Sequence, residues 1–354
     1  MPSFKTGEVA RVMSQREGLQ RVEIDFDGVR ERAYVLPQLT GSVAVGDRVV
    51  VNTTAVELGL GTGGWHVVHW NLERTEYSEP GPGHIIKARY TSLQADVGSA
   101  EEHNQELLDV DSIEGLPVVA ASLHSQLPAV VTAIRAARPE ARIAYVMTDG
   151  AGLPLAMSDQ VALLLKRDLI DTTITTGHAF GGEYEAVNVY SALAVAKHLA
   201  GADIAVVVMG PGIVGTGTRL GFTGMEIGAV LDAVVGLGGQ AIATLRASYA
   251  DERERHRGVS HHTLTALRIG TRSRVTIPIP AGEWAEGLRA DLVSAGLDQR
   301  HDLVEVDAPD PLALFEANTL RVTSMGRPAE EDPVLYAAAA AAGTLAVQRL
   351  QANP

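Results

Sequence analysis

Seven short apolar runs, spaced by stretches of helical periodicity, fill the chain from residue 117 onward and narrow its fold more than any other feature. They lie at 117–122, 143–148, 172–176, 204–209, 241–245, 275–279 and 303–306, and are rich in Val and Ile. Helical patterns fall between most of them, at 128–137, 159–167, 184–200, 225–236, 283–294 and 311–318. Strands apolar throughout their length, alternating with helices, imply a mainly parallel sheet covered on both faces. A closing helix over 332–350 is expected to start at Asp332 as N-cap, with Pro333 in the first helical position. Its Ala337–Ala342 run reads as a closely packed helix, since Ala is the best helix former.

Residues 1–72 follow another rule. Short strands at 7–13, 20–26, 31–36, 47–52 and 65–70, with turn signals Asp27-Gly28 and Gly46-Asp47, fit a small all-β barrel or sandwich. The Gly59–Gly64 stretch has no helix after it, so it reads as a mobile hairpin tip rather than a phosphate cradle. His66 and His69, three apart on one strand, point to opposite faces and are not expected to share a metal. Between 73 and 114, ten acids stand against three bases and Glu79-Pro80-Gly81-Pro82-Gly83 interrupts regular structure, as in a linker with a docking segment. The expected fold class is therefore α/β: a three-layer, mainly parallel sheet domain at 115–354 preceded by a small barrel-like β domain at 1–72.

Composition removes several chemistries. With no cysteine there is no disulfide, thiolate-bound metal or cysteine nucleophile. A formal charge of −14 argues against nucleic acid as the main partner, because phosphate neutralisation needs a basic face, although a small basic site can hide inside that sum. No apolar run reaches the roughly 18 residues that span a bilayer, so no membrane partner is expected. The first twenty residues lack the apolar core of a secretory signal, giving a cytoplasmic expectation.

In parallel sheets the ligand crevice lies beyond the carboxyl ends of the strands. Here those ends read Ser122-Leu123-His124-Ser125, Thr148-Asp149-Gly150, Thr176-Gly177-His178, Gly210-Pro211-Gly212 and Arg246-Ala247-Ser248. A Ser or Asp after a strand is ordinarily a helix cap. Five such ends in one chain, with two histidines and paired glycines, point instead to a site. His178 is the expected general acid or base, with Asp149 orienting it or holding a cation. The Gly210–Gly224 loop follows a strand and precedes a helix, so Gly210, Gly212, Gly215, Thr216, Gly217, Thr218 and Arg219 are the expected anion-binding residues. It is neither a Walker A loop nor a dinucleotide fingerprint. Between Arg246 and Arg274 seven arginines face three acids, a basic island in an acidic chain, and Ser260 there caps a helix carrying His261 and His262. Adjacent helical residues point about 100° apart, so at most one of the two faces a given ligand, and His261 or His262 is expected to complete the catalytic pocket with His178 and Asp149. No His pair has metal-ligand spacing on one helix face, and no native metal is expected. The residues identify no cofactor.

Four stretches, Gly83–Thr91, Thr176–Gly182, Met209–Thr218 and His256–Leu267, resemble a family of uncharacterised bacterial proteins, found mostly in Gram-positive lineages and known only as a domain of unknown function. The resemblance runs over nearly the whole chain. It implies a bacterial cytoplasmic protein and supplies no activity, substrate or catalytic residue. From the residues, the favoured function is an enzyme, a transferase or hydrolase, acting on a small anionic or phosphorylated metabolite at the carboxyl ends of the strands. The alternative is a non-catalytic ligand sensor or assembly protein that uses its β domain for partner contact, and in either case the chain is allowed to be a homo-oligomer.

Overall fold

A computed structural model describes residues 2–61, 63–150 and 154–351 and divides into two compact units, Met1–Gly98 and Ser99–Pro354. Thr62, within the Gly59–Gly64 stretch, lies outside the described residues.

The first unit holds five strands, β1 (Phe4–Arg16), β2 (Leu19–Phe26), β3 (Val29–Val35), β4 (Arg48–Asn52) and β5 (Trp65–Asn71). They close in the order β1-β2-β3-β5-β4, antiparallel except for the parallel pair β3 and β5. This is the five-stranded OB type of Greek-key barrel. Closure demands that one strand serve two partners. The thirteen-residue β1 does so, bending at two bulges to pair with β2 along one half and β4 along the other. Alternation sends Val9, Val22, Ile24, Ala33, Val35, Val49, Val51 and Val68 inward. Asp27 and Gly28, with φ of 53° and 91°, make the tight turn that their sequence announces. His66 is buried and its Nε2 meets Glu31 Oε2 at 2.7 Å, whereas His69 packs against Phe4. A two-residue ladder, β6 (Ile86–Lys87) with β7 (Ala95–Asp96), follows the barrel.

The second unit is an eight-stranded sheet with every neighbouring pair parallel. In chain order its strands are β8 (Pro117–Ala121), β9 (Ile143–Thr148), β10 (Thr172–Thr176), β11 (Tyr184–Ala186), β12 (Ile204–Met209), β13 (Gln240–Ala243), β16 (Thr276–Pro280) and β17 (Asp302–Val306); a small antiparallel pair, β14 (Ala247–Ser248) with β15 (Gly258–Val259), intervenes. Across the sheet the order is β11-β10-β9-β12-β8-β13-β16-β17. One face is covered by helices over Leu127–Ala137, Asp159–Lys166, Pro311–Ala317 and Pro333–Gln351, and the other by helices over Val189–Ala194, Glu226–Gly236 and Ala285–Ser294. The inner strands β8, β9, β12, β13 and β16 are buried on both faces, which is why their sequences are almost continuously apolar, whereas the edge strand β17 is half exposed. Among the described residues no helix is long and apolar enough to cross a membrane.

The helix expected over 184–200 is instead a short edge strand, a turn and a helix. Tyr184–Ala186 pairs with β10, and Asn188 then starts the helix by accepting hydrogen bonds from the backbone N–H groups of Tyr190 and Ser191. Buried Glu185 fixes this edge, accepting hydrogen bonds from the Thr175 hydroxyl (2.7 Å) and Gly181 N–H (2.6 Å).

The closing helix packs its small residues against the helix over Leu127–Ala137. Ala338 to Ala342 are fully buried, and a Cβ added at Gly343 would lie 2.4 Å from the Val130 carbonyl oxygen. Backbone meets backbone there, so Gly343→Ala should cost about 1–3 kcal/mol, the usual penalty of overpacking. A urea midpoint equal to that of the parent would show that the two helices stand further apart than described.

Candidate functional site

β8 leads through its helix to β9 on one side, while β12 leads through its helix to β13 on the other. The carboxyl ends of β8 and β12 are therefore where the connections diverge, the expected place for a crevice. Residues from several strand ends meet nearby. Asp149 Oδ2 accepts the backbone N–H of His178 at 3.0 Å, across the short gap between β9 and β10. Gly177 makes that approach feasible, since its φ is +68° and a Cβ there would fall 2.8 Å from the Asp149 carboxyl.

Beside Asp149 stands a residue that the sequence reading missed. Glu226 opens the helix over Glu226–Gly236, its Oε1 accepts the Thr148 hydroxyl, and its Oε2 faces Gly150. Burial raises its pKa to about 7; the Thr148 hydrogen bond opposes this and the negative charge of Asp149 adds to it. Asp149 is exposed. A half-buried carboxyl thus stands beside an exposed one, and two carboxyls in different surroundings are the arrangement that can separate a general acid from a base. The only sequence signal for Glu226 is an acid in a helix's first turn, where the helix dipole accounts for it without any site.

His124 plays a supporting part. Its Nδ1 donates to the Met209 carbonyl oxygen (3.2 Å), so its Nε2 accepts the Ser158 hydroxyl (2.7 Å), and burial lowers its pKa to about 4. A neutral imidazole thus ties the end of β12 to the loop before the helix over Asp159–Lys166. Residues 151–153, which follow β9, lie outside the described residues.

The Gly210–Gly224 loop is a small hairpin. Thr216 N–H donates to Gly221 O (2.8 Å) and Thr223 N–H to Val214 O (2.9 Å), while the Thr216 and Thr218 hydroxyls meet at 2.9 Å. Gly210 is buried at the strand end, and Gly212 and Gly217 adopt φ of 100° and 80°. The backbone donors of Thr216 and Gly221 are used within the hairpin, the latter on Thr218 Oγ1. Gly217 and Arg219 at its tip instead line a pocket of about 420 Å³ with Arg255, His261, Leu264, Thr265, Arg268 and Ala295.

That pocket borders the basic island. Ser260 Oγ accepts the His262 N–H at 3.3 Å and starts the helix over His261–Thr265, which continues as a π-turn over Ala266–Gly270 and so brings Arg268 to the pocket. As helical geometry requires, the adjacent histidines face different ways. Buried His262 stacks on Phe222 of the hairpin at 3.8 Å and 3°, and its Nδ1 accepts from Arg246 at 2.9 Å. His261 lines the pocket, and its Nε2 has no hydrogen-bond partner among the described residues. His256 completes the group, with Nδ1 2.7 Å from Ser260 Oγ.

One nitrogen from each of His256, His261 and His262 lies within 4.8 Å of the others, as metal ligands must. Two facts weigh against a cation there. Arg246 can only donate, so His262 Nδ1 is the lone pair and its proton sits on Nε2, facing any ion bound on that side. Burial, then the guanidiniums of Arg246 and Arg253, also drive the pKa of His256 down to about 3, and burial and Arg246 do the same for His262, which marks the surroundings as positive. The cluster suits an anion better than a metal.

Fold and site together define an α/β protein with its polar residues gathered at the carboxyl edge of a parallel sheet and an OB-type barrel before it. The chain belongs to the DUF3866 family, described as a protein of unknown function, whose sequence profile matches residues 32–343. No curated protein matches it.

Proposed function

We propose that the chain is an enzyme, of the transferase or hydrolase class, that binds a small anionic metabolite, phosphorylated by preference, at the carboxyl edge of its parallel sheet. What carries this reading is the pocket at the hairpin tip: three arginines, Arg219, Arg255 and Arg268, and His261 are among the residues that line it, and no acidic residue is. Guanidinium forks match phosphate and carboxylate oxygens. Proton transfer is assigned to the neighbouring strand ends, with His178 and Asp149 joined by Glu226. Buried His262 holds Phe222 and so the hairpin, and the cytoplasm, where such metabolites are abundant, is the assigned compartment.

Calorimetric titration with inorganic phosphate, pyrophosphate, nucleotides and sugar phosphates tests the pocket. Arg219→Ala and Arg255→Ala should each weaken the best ligand by about tenfold to a hundredfold, from the loss of a hydrogen bond to a charged group of about 1.5–3 kcal/mol. Equal affinity in parent and both variants would sink the assignment. A second reading, an assembly or sensor role, is supported by Val214 and Leu220, which stand 60% and 57% exposed on the hairpin. If no anion binds and Leu220→Asp changes the mass measured by light scattering, that reading replaces the first.

A further inference from the structure

A buried hydroxyl without a partner is costly, and native proteins hold few of them. Two line one cavity at the centre of the large sheet. Ser122 follows β8 and Thr244 follows β13, and these neighbouring strands are still joined where they end, Thr244 N–H donating to Ala120 O at 2.9 Å. Ser122 is 6% exposed and Thr244 4%, and neither hydroxyl has a hydrogen-bond partner among the described residues. The anion pocket at the hairpin tip does not include them.

The rest of the wall includes Ile227, in the first turn of the helix over Glu226–Gly236, then His262 and Thr263, and Ala266 and Leu267 of the π-turn. All of these are buried. Beside them a Cβ at Gly228 would fall 2.4 Å from the carbonyl carbon of Gly270, so the helix and the π-turn press backbone to backbone. Thr263 Oγ1 accepts the Arg246 N–H at 3.1 Å, which leaves its proton and a second lone pair for another partner. The room inside is about that of one water molecule.

We propose that this cavity binds a single uncharged oxygen, that of a water molecule in the resting protein, held by the hydroxyls of Ser122 and Thr244. A buried water typically makes about three hydrogen bonds, and Ser122, Thr244 and Thr263 supply three groups that can each donate or accept. A cation finds no carboxylate in this lining, and a phosphate is larger than the space. The oxygen would join two central strands to the helix that carries His261 and His262, and so fix the basic island against the sheet. A ligand hydroxyl has the same size and bonding and could take the water's place. The assignment does not rest on the anion pocket and stands if Arg219 and Arg255 bind nothing.

Thermal unfolding of the full chain tests this through its sign. Thr244→Val keeps the shape of the side chain, and Ser122→Ala removes one oxygen. In a dry cavity either change deletes an unpaired polar group, so the melting temperature should hold or rise. With an oxygen bound, each should lower it by about 2–4 °C, the usual effect of one lost hydrogen bond in a unit of this size. The double variant should lose less than the sum of the two, because both hydroxyls act on the same oxygen. Crystals of the parent without ligand should show a water within hydrogen-bond distance of both hydroxyls. Crystals grown with glucose 6-phosphate or ribose 5-phosphate then distinguish the sources: a retained water is a fixed part of the fold, and a sugar hydroxyl in its place makes the cavity a ligand subsite. Single variants as stable as the parent, additive losses, or no density between the two hydroxyls would overturn the proposal.

Discussion

Glu226→Gln should give a protein indistinguishable in stability from the parent near pH 4 and clearly more stable above pH 7. Burial raises the folded-state pKa of Glu226 from 4.5 to about 7, so the folded protein holds this proton more tightly than the unfolded chain does. The stability linked to that proton is complete below pH 4.5 and is lost as pH rises through 7. Gln keeps a neutral group of the same shape, still able to accept from Thr148. The difference between the two proteins should therefore open between pH 4.5 and 7 and level off at up to about 3 kcal/mol. Urea unfolding at intervals from pH 4 to 8 measures it. A variant less stable than the parent at pH 8 would mean that Glu226 is ionised and paired, and that Asp149 has no protonated neighbour.

The histidine cluster gives the opposite slope. His256 and His262 are held at about 3, well below their ordinary 6.5, first by burial and then by guanidiniums. The groups facing them are Arg246, Arg253 and Arg255, His261, whose charge also lowers both, the ring of Phe222, and Asp251, whose charge works the other way on His256. Stability from the two neutral rings is complete above pH 6.5 and lost as pH falls toward 3. Two protons taken up on unfolding give a slope approaching about 2.7 kcal/mol per pH unit in that window. Because Glu226 works against this above pH 4.5, the slope is best read in Glu226→Gln. His256→Gln in that background should reduce it by about one proton, or about 1.4 kcal/mol per pH unit. A slope unchanged by this substitution would show that His256 is charged or solvated in the folded protein.

Much of the α/β unit is legible in the sequence because burial on both faces leaves little freedom of composition. A strand such as Ile204–Met209 is apolar at every position, and this reveals it without any knowledge of its neighbours. Tyr184–Ala186 gives no such signal: it is three residues long, sits at the sheet edge, and carries a buried glutamate whose burial depends on a threonine of the next strand. The meeting of Asp149 with His178 is legible as far as both end neighbouring strands. That Asp149 holds the backbone of His178 depends on the register of β9 and β10, which no local pattern encodes. Glu226 and the π-turn over Ala266–Gly270 were hidden for a related reason. A first-turn acid and an ordinary helical stretch look the same whether or not they border a site.

The closing helix also bears on how the chain reaches this state. Its alanines cover the face that Val119 and Ala121 of the central strand β8 and the residues of the helix after it present, yet they lie more than two hundred residues later in sequence. Such distant pairing carries a large entropic cost before it is rewarded, so late formation of this layer is expected to limit the folding rate. During synthesis, until residues 333–351 have been made, that layer of valines and leucines stays open to water and to other chains.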